Sequence, residues 1–244
     1  MRRRGGRGPH RLREVVIAPG YLDFAEGSCL ITWGRTRVLC AATVQETVPP
    51  FRLERGGWVT AEYAMLPRAT HGRQERESRR GQIGGRTQEI SRLIGRSLRA
   101  AVDLTALGPR TVVLDCDVLQ ADGGTRSAGV TGAFVALCLA LEGLRRQGLL
   151  AALPLTDQVA AVSVGAFPDR LLLDLDYEED SQAGVDANFV GTGKGELIEV
   201  QLTGEAGPFP AGRLAEMLAL AQAGLKDLCR MQEEALAPWL PLSW

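Results

Sequence analysis

Residues 111–146 read TVVLDCDVLQADGGTRSAGVTGAFVALCLALEGLRR and hold a strand, a turn and a helix in succession. In TVVLDCDVL, Val112, Leu114, Cys116 and Val118 fall on one face, with Asp115 and Asp117 on the other, the alternation of a half-buried strand. ADGGTR follows as a turn. From about Ser127 to Arg146, Val130, Phe134, Leu137, Cys138, Leu141 and Leu144 recur at helical spacing and predict a helix with one buried face.

Upstream, a helix is predicted from Thr87, with Ile90, Leu93, Ile94, Leu98 and Ala101 on an apolar face and Arg92, Arg96 and Arg99 on another. Residues 12–48 read as antiparallel strands, with GSCLITWG and TRVLCAATV separated by a hairpin-like break at Gly34-Arg35. A loop over 49–57, a strand over WVTAEYAML and an exposed, mobile Gly- and Arg-rich loop over 67–85 complete the first half. Downstream, strands are expected near 158–166, 170–177, 187–191 and 196–203, with a turn at Pro168-Asp169 and another at Gly193-Lys194-Gly195. A last amphipathic helix starts near Gly212. This order predicts an α+β fold of mixed sheets with packed helices. No linker divides it, so a single domain over 1–244 is expected, with a short basic N-terminal segment (1–11) and a C-terminal tail (236–244).

Composition removes several classes of function. The 244 residues are 45% hydrophobic and 23% charged, with a mean hydropathy of −0.03, which rules out wholesale disorder. No apolar run approaches the ~18–20 residues of a membrane span, and no apolar stretch follows the basic N-terminus, so neither a membrane anchor nor a signal peptide is expected. Cys29, Cys40, Cys116, Cys138 and Cys229 are odd in number and form no CxxC, which favours free thiols in a reducing cytoplasm. With only His10 and His71, a His-centred triad or multi-His metal site has almost nothing to be built from. Charge is uneven: residues 1–100 carry 19 basic and 9 acidic side chains, and residues 101–244 carry 9 basic and 20 acidic. Of the 28 basic residues, all but Lys194 and Lys226 are arginine, whose planar fork matches phosphate bidentately. Codon bias accounts for the Arg/Lys ratio as readily as function does, but not for the concentration in the first half.

Three constellations carry chemistry. Gly84-Gly85-Arg86-Thr87 opens the first helix and Gly123-Gly124-Thr125-Arg126 the second. Each sets flexible backbone, a hydroxyl and a guanidinium at a helix N-terminus, which suits either a phosphate site or ordinary turn chemistry. No Walker motif, GxSxG or HExxH is present. The acidic stretch DLDYEEDSQAGVD (174–186) reads as a strand whose Leu171, Leu173, Leu175 and Tyr177 share one face, followed by Glu178, Glu179, Asp180 and Asp186. These carboxylates suit Mg²⁺ or a solvated acidic edge. Beside phosphate clamps, carboxylates describe a phosphoryl-transfer site. Third, Arg68, Arg73, Arg76, Arg79 and Arg80 form either a solubilising loop or a contact to a phosphodiester backbone.

GGRTQEISRLIGRSLRAAVDL (84–104), LDCDVLQADGGTR (114–126) and DLDYEEDSQAGVDANF (174–189) resemble the ribonuclease PH family, as do AEGSCLITWGRTRVLCAATV, GWVTAEYAMLP and AAVSVG. The resemblance covers roughly residues 1–235. It implies a fold similar to domain 2 of ribosomal protein S5 and a phosphorolytic 3′→5′ exoribonuclease that trims tRNA precursors beyond the CCA end. Inorganic phosphate is the co-substrate and nucleoside diphosphates are the products. By the same resemblance, Arg86, Gly124, Thr125 and Arg126 bind phosphate, Asp180 and Asp186 are catalytic and hold Mg²⁺, and Arg68, Arg73 and Arg76 contact tRNA. The implied assembly is a homohexameric ring of three dimers in the cytoplasm, with no membrane partner and with ribosomal RNA processing among the expected roles. The chain has AGVDAN where the family has AETDMN, and TRSAGVT where it has TRTASIT, yet Asp186, Asn188, Thr125 and Arg126 are retained. Two alternatives are weighed on the same residues. A ring subunit that binds RNA with weak catalysis is countered by the presence of Arg86, Arg126, Asp180 and Asp186. Polynucleotide phosphorylase carries two such domains, more than this length allows.

Overall fold

A computed structural model describes residues 3–240, except the side chains of Ser78 and Arg80. Part of the expected C-terminal tail, residues 241–244, therefore lies outside the described residues. Five strands make the first sheet: β1 (Val15–Pro19), β2 (Gly27–Trp33), β3 (Thr36–Gln45), β4 (Trp58–Met65) and β5 (Thr111–Gln120), in the order β1-β2-β3-β5-β4. All pairs are antiparallel except β4 with β5. Gly34 and Arg35 join β2 to β3, with Gly34 at φ +58°. The parallel pair requires a crossover. It is supplied by the segment containing the one-turn α1 (Glu77–Arg80) and α2 (Gly85–Arg99).

α3 (Thr125–Arg146) leads to the second sheet, β6 (Val159–Ala166), β7 (Leu171–Leu173), β8 (Val185–Thr192) and β9 (Leu197–Gly204), ordered β7-β6-β8-β9 and wholly antiparallel. The one-turn α4 (Tyr177–Asp180) lies between β7 and β8, and α5 (Gly212–Leu236) closes the fold. A continuous core runs from Cys29 on β2 to Leu236 on α5. All five cysteines are buried and free.

Several expectations need correction. α3 buries 18 of its 22 residues rather than one face, because it packs against β2 and β3 on one side and β6 on the other. It is also long and apolar enough to cross a membrane by composition, which corrects the expectation that no such run exists, but 89% of its apolar window is buried in the core. α2 and α3 start at Gly85 and Thr125, so Arg86 and Arg126 lie inside the first turns of their helices. The strand expected over 170–177 stops at Leu173: Asp174 takes φ +57°, turning the chain out of the sheet, and Tyr177 starts α4 and is 63% exposed. The Gly- and Arg-rich loop contains α1, and Glu77 Oε1 accepts a hydrogen bond from Thr87 Oγ1 at 2.9 Å, tying it to the start of α2.

Candidate active site

The β5–α3 turn is built by two left-handed glycines, Gly123 (φ +79°) and Gly124 (φ +69°). A Cβ on Gly123 would come within 2.6 Å of the Asp176 carbonyl carbon, so glycine lets this turn press against the chain that carries α4. Thr36 Oγ1 donates to Gly123 O at 2.7 Å and accepts from Asp122 N at 3.0 Å. Arg13 Nη1 donates to Asp122 O at 2.7 Å. Thr125 is held at the first position of α3 by the Tyr63 hydroxyl, which donates to its Oγ1 at 2.8 Å.

Arg126 lies on the same turn of α3 and reaches across to β9, where Nη1 donates to Gln201 Oε1 at 2.6 Å; Glu89 of α2 lies 3.6 Å away. Gln201 Nε2 donates in turn to Glu89 Oε1 at 2.9 Å. Arg86 is exposed and makes no hydrogen bond or ion pair among the described residues. Facing these arginines are Asp180 at the end of α4 and Asp186 on β8. Arg86, Arg126, Asp180, Asp186, Asn188 and Glu205 are among the residues lining one cavity of about 370 Å³. A smaller recess of about 60 Å³ adds Gly124, Thr125 and Ser163.

The two carboxyls are electrostatically uncomfortable. Burial and then the Asp180 charge push the Asp186 carboxyl up to about 6, against Arg126 and a 3.3 Å hydrogen bond from Asn188 Nδ2 to Asp186 Oδ2. Asp180 is exposed toward the cavity, yet the surrounding protein raises it too, partly offset by Arg86 and Arg126. Asp186 Oδ1 is buried with no hydrogen-bond partner. An orphaned acceptor beside a second carboxylate fits a hard divalent cation that takes one or two carboxylates and keeps several waters. Among the described residues, no group of three or more His, Cys, Asp or Glu forms an all-protein metal cage.

Asp174, Asp176 and Glu179 of the acidic stretch are buried and do other work, neither holding metal nor forming a solvated edge. Asp176 caps α4, accepting from Glu179 N at 3.0 Å, and Glu179 Oε2 accepts from Asp176 N at 3.1 Å. Asp174 and Glu179 receive the basic N-terminal segment, a role that sequence reasoning missed. Arg3 donates to Glu179 through Nε at 2.6 Å and Nη2 at 2.8 Å, and to the carbonyls of Leu173 and Asp174. Arg7 bridges Asp174 and Glu179 at 3.1 and 3.0 Å. Arg13 is bidentate to Asp174 and also holds the 122–123 carbonyls. Trp33 Nε1 donates to Asp174 Oδ2 at 2.9 Å. Burial pulls Arg13 down, but the charge and hydrogen bonds of Asp174 leave it above its ordinary value. Burial likewise works against the Glu179 carboxylate, yet Arg3, the Asp176 amide and Arg7 bring it below the usual range. This clamp joins the β5–α3 turn to the segment bearing Asp180. Its only sequence signal is a basic terminus far from an acidic stretch.

Arg68, Arg73 and Arg76 are exposed and do not line the cavity. Arg68 Nη1 donates to His71 O at 2.7 Å, and Arg76 acts on Asp117 of β5, whose carboxyl burial raises.

Comparison with known proteins adds the following. Residues 11–141 match the model of the 3′ exoribonuclease family, domain 1, and residues 157–224 match domain 2 of the same family. The chain is 58% identical over 237 residues to ribonuclease PH of Moorella thermoacetica, covering 97% of this chain and 95% of that protein. It is 56% identical over 243 residues to ribonuclease PH of Saccharopolyspora erythraea, covering 99% and 97%. Its fold is similar to that of rice Rrp46 (TM-score 0.78, 21% identity, 96% of this chain and 100% of that one). It is equally similar to a chain of the Archaeoglobus fulgidus exosome with RNA bound to the active site (TM-score 0.78, 24% identity, 93% and 91%).

Proposed function

The chain belongs to the 3′ exoribonuclease family, with both family domains present, and from that premise we propose how its residues perform the reaction. The enzyme is a phosphorolytic 3′→5′ exoribonuclease that processes the 3′ ends of tRNA precursors. Arg86 and Arg126 clamp inorganic phosphate, aided by Thr125 and the backbone of the Gly124 turn at the positive end of α3. A phosphate oxygen attacks the phosphorus of the last phosphodiester. The bond to the 3′ oxygen of the preceding ribose breaks, that oxygen takes the proton given up by hydrogen phosphate, and the terminal nucleotide leaves as a diphosphate. The arginines hold two anionic groups in attacking distance against their mutual repulsion.

Asp180 and Asp186 would hold Mg²⁺, a role supported by the orphaned Asp186 Oδ1 beside a second carboxylate that lines the same cavity. When bound, the ion supplies neutralisation of developing phosphate charge. Arg68, Arg73 and Arg76 contact the tRNA body. The chain acts as one unit because its core is continuous across both family domains. It assembles as a homohexamer of three dimers in the cytoplasm. Open edges at β1, β4, β7 and β9 and exposed Tyr21, Leu22, Phe24 and Trp239 suit association of copies.

What carries this reading is the convergence of Arg86, Arg126, Asp180 and Asp186, drawn from four separate elements, on one cavity. The test is incubation of a 3′-extended tRNA with and without phosphate. Nucleoside diphosphates are expected, and only with phosphate; monophosphates at equal rates in both would mean that water is the nucleophile. In the same assay Asp186→Asn should lower kcat far more than RNA affinity.

A further inference from the structure

A second groove, of about 260 Å³, lies between α2 and β4, the strand that ends the five-stranded sheet. Trp58, Thr60, Arg92, Gly95, Arg96 and Arg99 line it. Gly95 makes its floor: a Cβ there would come 3.2 Å from Ala61 N and 3.1 Å from Arg99 Nη1. Arg99 is fixed in place, with Nη1 donating to Val59 O at 2.8 Å and its guanidinium 4.1 Å from the Trp58 ring centroid. Arg52 approaches the same ring at 5.4 Å, and Phe51 packs edge-on against it at 5.2 Å.

The groove is not neutralised from within. Of these four arginines only Arg96 has a carboxylate partner, Glu199 at 2.9 Å; Arg52, Arg92 and Arg99 form no ion pair among the described residues. Burial, with the charges of Arg96 and Arg52, holds the Arg99 guanidinium below its ordinary value. A half-buried, pre-positioned cation crowded by like charges is a site that an anion relieves.

We propose that this groove binds the phosphodiester backbone of the RNA substrate upstream of its 3′ end. The inference rests on the exoribonuclease reading of the neighbouring cavity. Arg86 of that cavity and Arg99 of the groove belong to the same helix, about 20 Å apart at 1.5 Å per residue. At about 3.4 Å per nucleotide, that spans on the order of six stacked nucleotides of one strand. One rigid element thus presents guanidiniums at both ends of such a strand. Because Arg99 and Arg52 already occupy the Trp58 ring, Trp58 orients cations rather than stacking a base, and recognition is of backbone rather than sequence. The same charges would also accept an acidic face of a second copy of the chain, which the experiment separates.

Binding of labelled 20-nucleotide and 5-nucleotide single-stranded RNA is followed by fluorescence anisotropy across a salt series, without phosphate, so the outcome does not depend on catalysis. Arg92→Glu alters an exposed side chain and leaves the packing intact. It should weaken the 20-mer about tenfold or more, the worth of one charge-assisted hydrogen bond. A 5-mer extends about 17 Å from the cavity, passing Arg92 at about 9 Å but stopping short of Arg99, so it keeps only part of the groove contact and should lose clearly less than the 20-mer. The slope of log affinity against log salt for the 20-mer should become shallower by about 0.7. Arg99→Lys, which keeps the charge but loses the fork, should also fall selectively on the 20-mer. Equal losses on both lengths overturn the proposal. So does an unchanged salt slope accompanied by a drop in mass by light scattering, which assigns the groove to contact between copies. Absence of phosphate-dependent nucleoside diphosphate release by the wild type would sink the reading of the reaction and leave these binding curves to decide the groove.

Discussion

Residues 3–13 and 67–85 look alike in sequence: both are arginine-rich, glycine-containing and lacking in long regular elements, yet the fold uses their arginines in opposite ways. The side chains of Arg3, Arg7 and Arg13 are 5%, 9% and 9% exposed, each paired with Asp174, Glu179 or both. Arg68, Arg73 and Arg76 are exposed to solvent. The difference lies in the partner rather than in the arginine. A buried carboxylate makes a guanidinium a structural part whose removal strands a charge, whereas an exposed guanidinium keeps its charge for a ligand. Arg86 and Arg126 stand between these extremes, near carboxylates but not consumed by them.

The sharpest way to break the contrast is to remove the carboxylate on which the N-terminal segment converges. Asp174→Asn keeps the shape and tolerates the left-handed backbone at φ +57°, but leaves Arg13 and Arg7 facing an amide. We expect a loss of about 3–5 kcal/mol, the size found when a buried pair loses one member. For a chain of this length the melting temperature should fall by roughly 2–4 °C per kcal/mol. Because the clamp spans the 122–124 turn and the Asp180 segment, KM for phosphate should rise as well. Calorimetry and phosphate kinetics check both; a shift in melting temperature below about 2 °C would mean that the clamp is ornamental.

The periodic elements are legible in the sequence because their signal is local. The Val112–Val118 alternation, the Ile90–Leu98 face and the start of α5 at Gly212 each follow from neighbours a few residues apart. α3 defeats such a reading because an all-round buried helix keeps its small residues, Ala128, Gly129, Gly132 and Ala136, where a periodicity argument looks for a polar face. Alternation extends β7 too far because nothing local marks Asp174 as left-handed; its partners Arg7, Arg13 and Trp33 lie 141–167 positions away. The site is legible in its residue types: Arg86, Arg126, Asp180 and Asp186 do meet at one cavity. Which acids belong to it is not, since Asp174, Asp176 and Glu179 look the same as Asp180 until their partners are seen.

A smaller effect separates the two arginines of the site. Arg86→Ala and Arg126→Ala should each lower kcat/KM for phosphate by about 10- to 150-fold, the equivalent of roughly 1.5–3 kcal/mol for a charge-assisted bond. Arg86 has no protein partner to lose among the described residues, so its variant should keep wild-type stability within about 0.5 kcal/mol. Arg126 holds Gln201 at 2.6 Å, so its variant should lose about 0.5–1.5 kcal/mol more. Equal stability loss in both would place Arg86 among the structural arginines.

The smallest effect belongs to the loop, and it is the cleanest test of the contrast. Changing Arg68, Arg73 and Arg76 together to glutamine removes three charges that no buried carboxylate awaits, so thermal stability should move by no more than about 0.5 kcal/mol per position. The same three changes in the N-terminal segment would unfold the clamp. The effect of the loop should appear in binding: log affinity for tRNA against log salt should become shallower by about 0.7–0.9 for each phosphate the loop no longer neutralises. Since these arginines do not line the cavity of Arg86, Arg126, Asp180 and Asp186, the loss on tRNA should exceed the loss on a short oligonucleotide that cannot reach them. Equal losses on the two substrates would move the loop into the active site. Undiminished tRNA binding with an unchanged salt slope would leave its arginines as surface charge alone, and unpaired arginines on this fold could not then be taken as a sign of RNA contact.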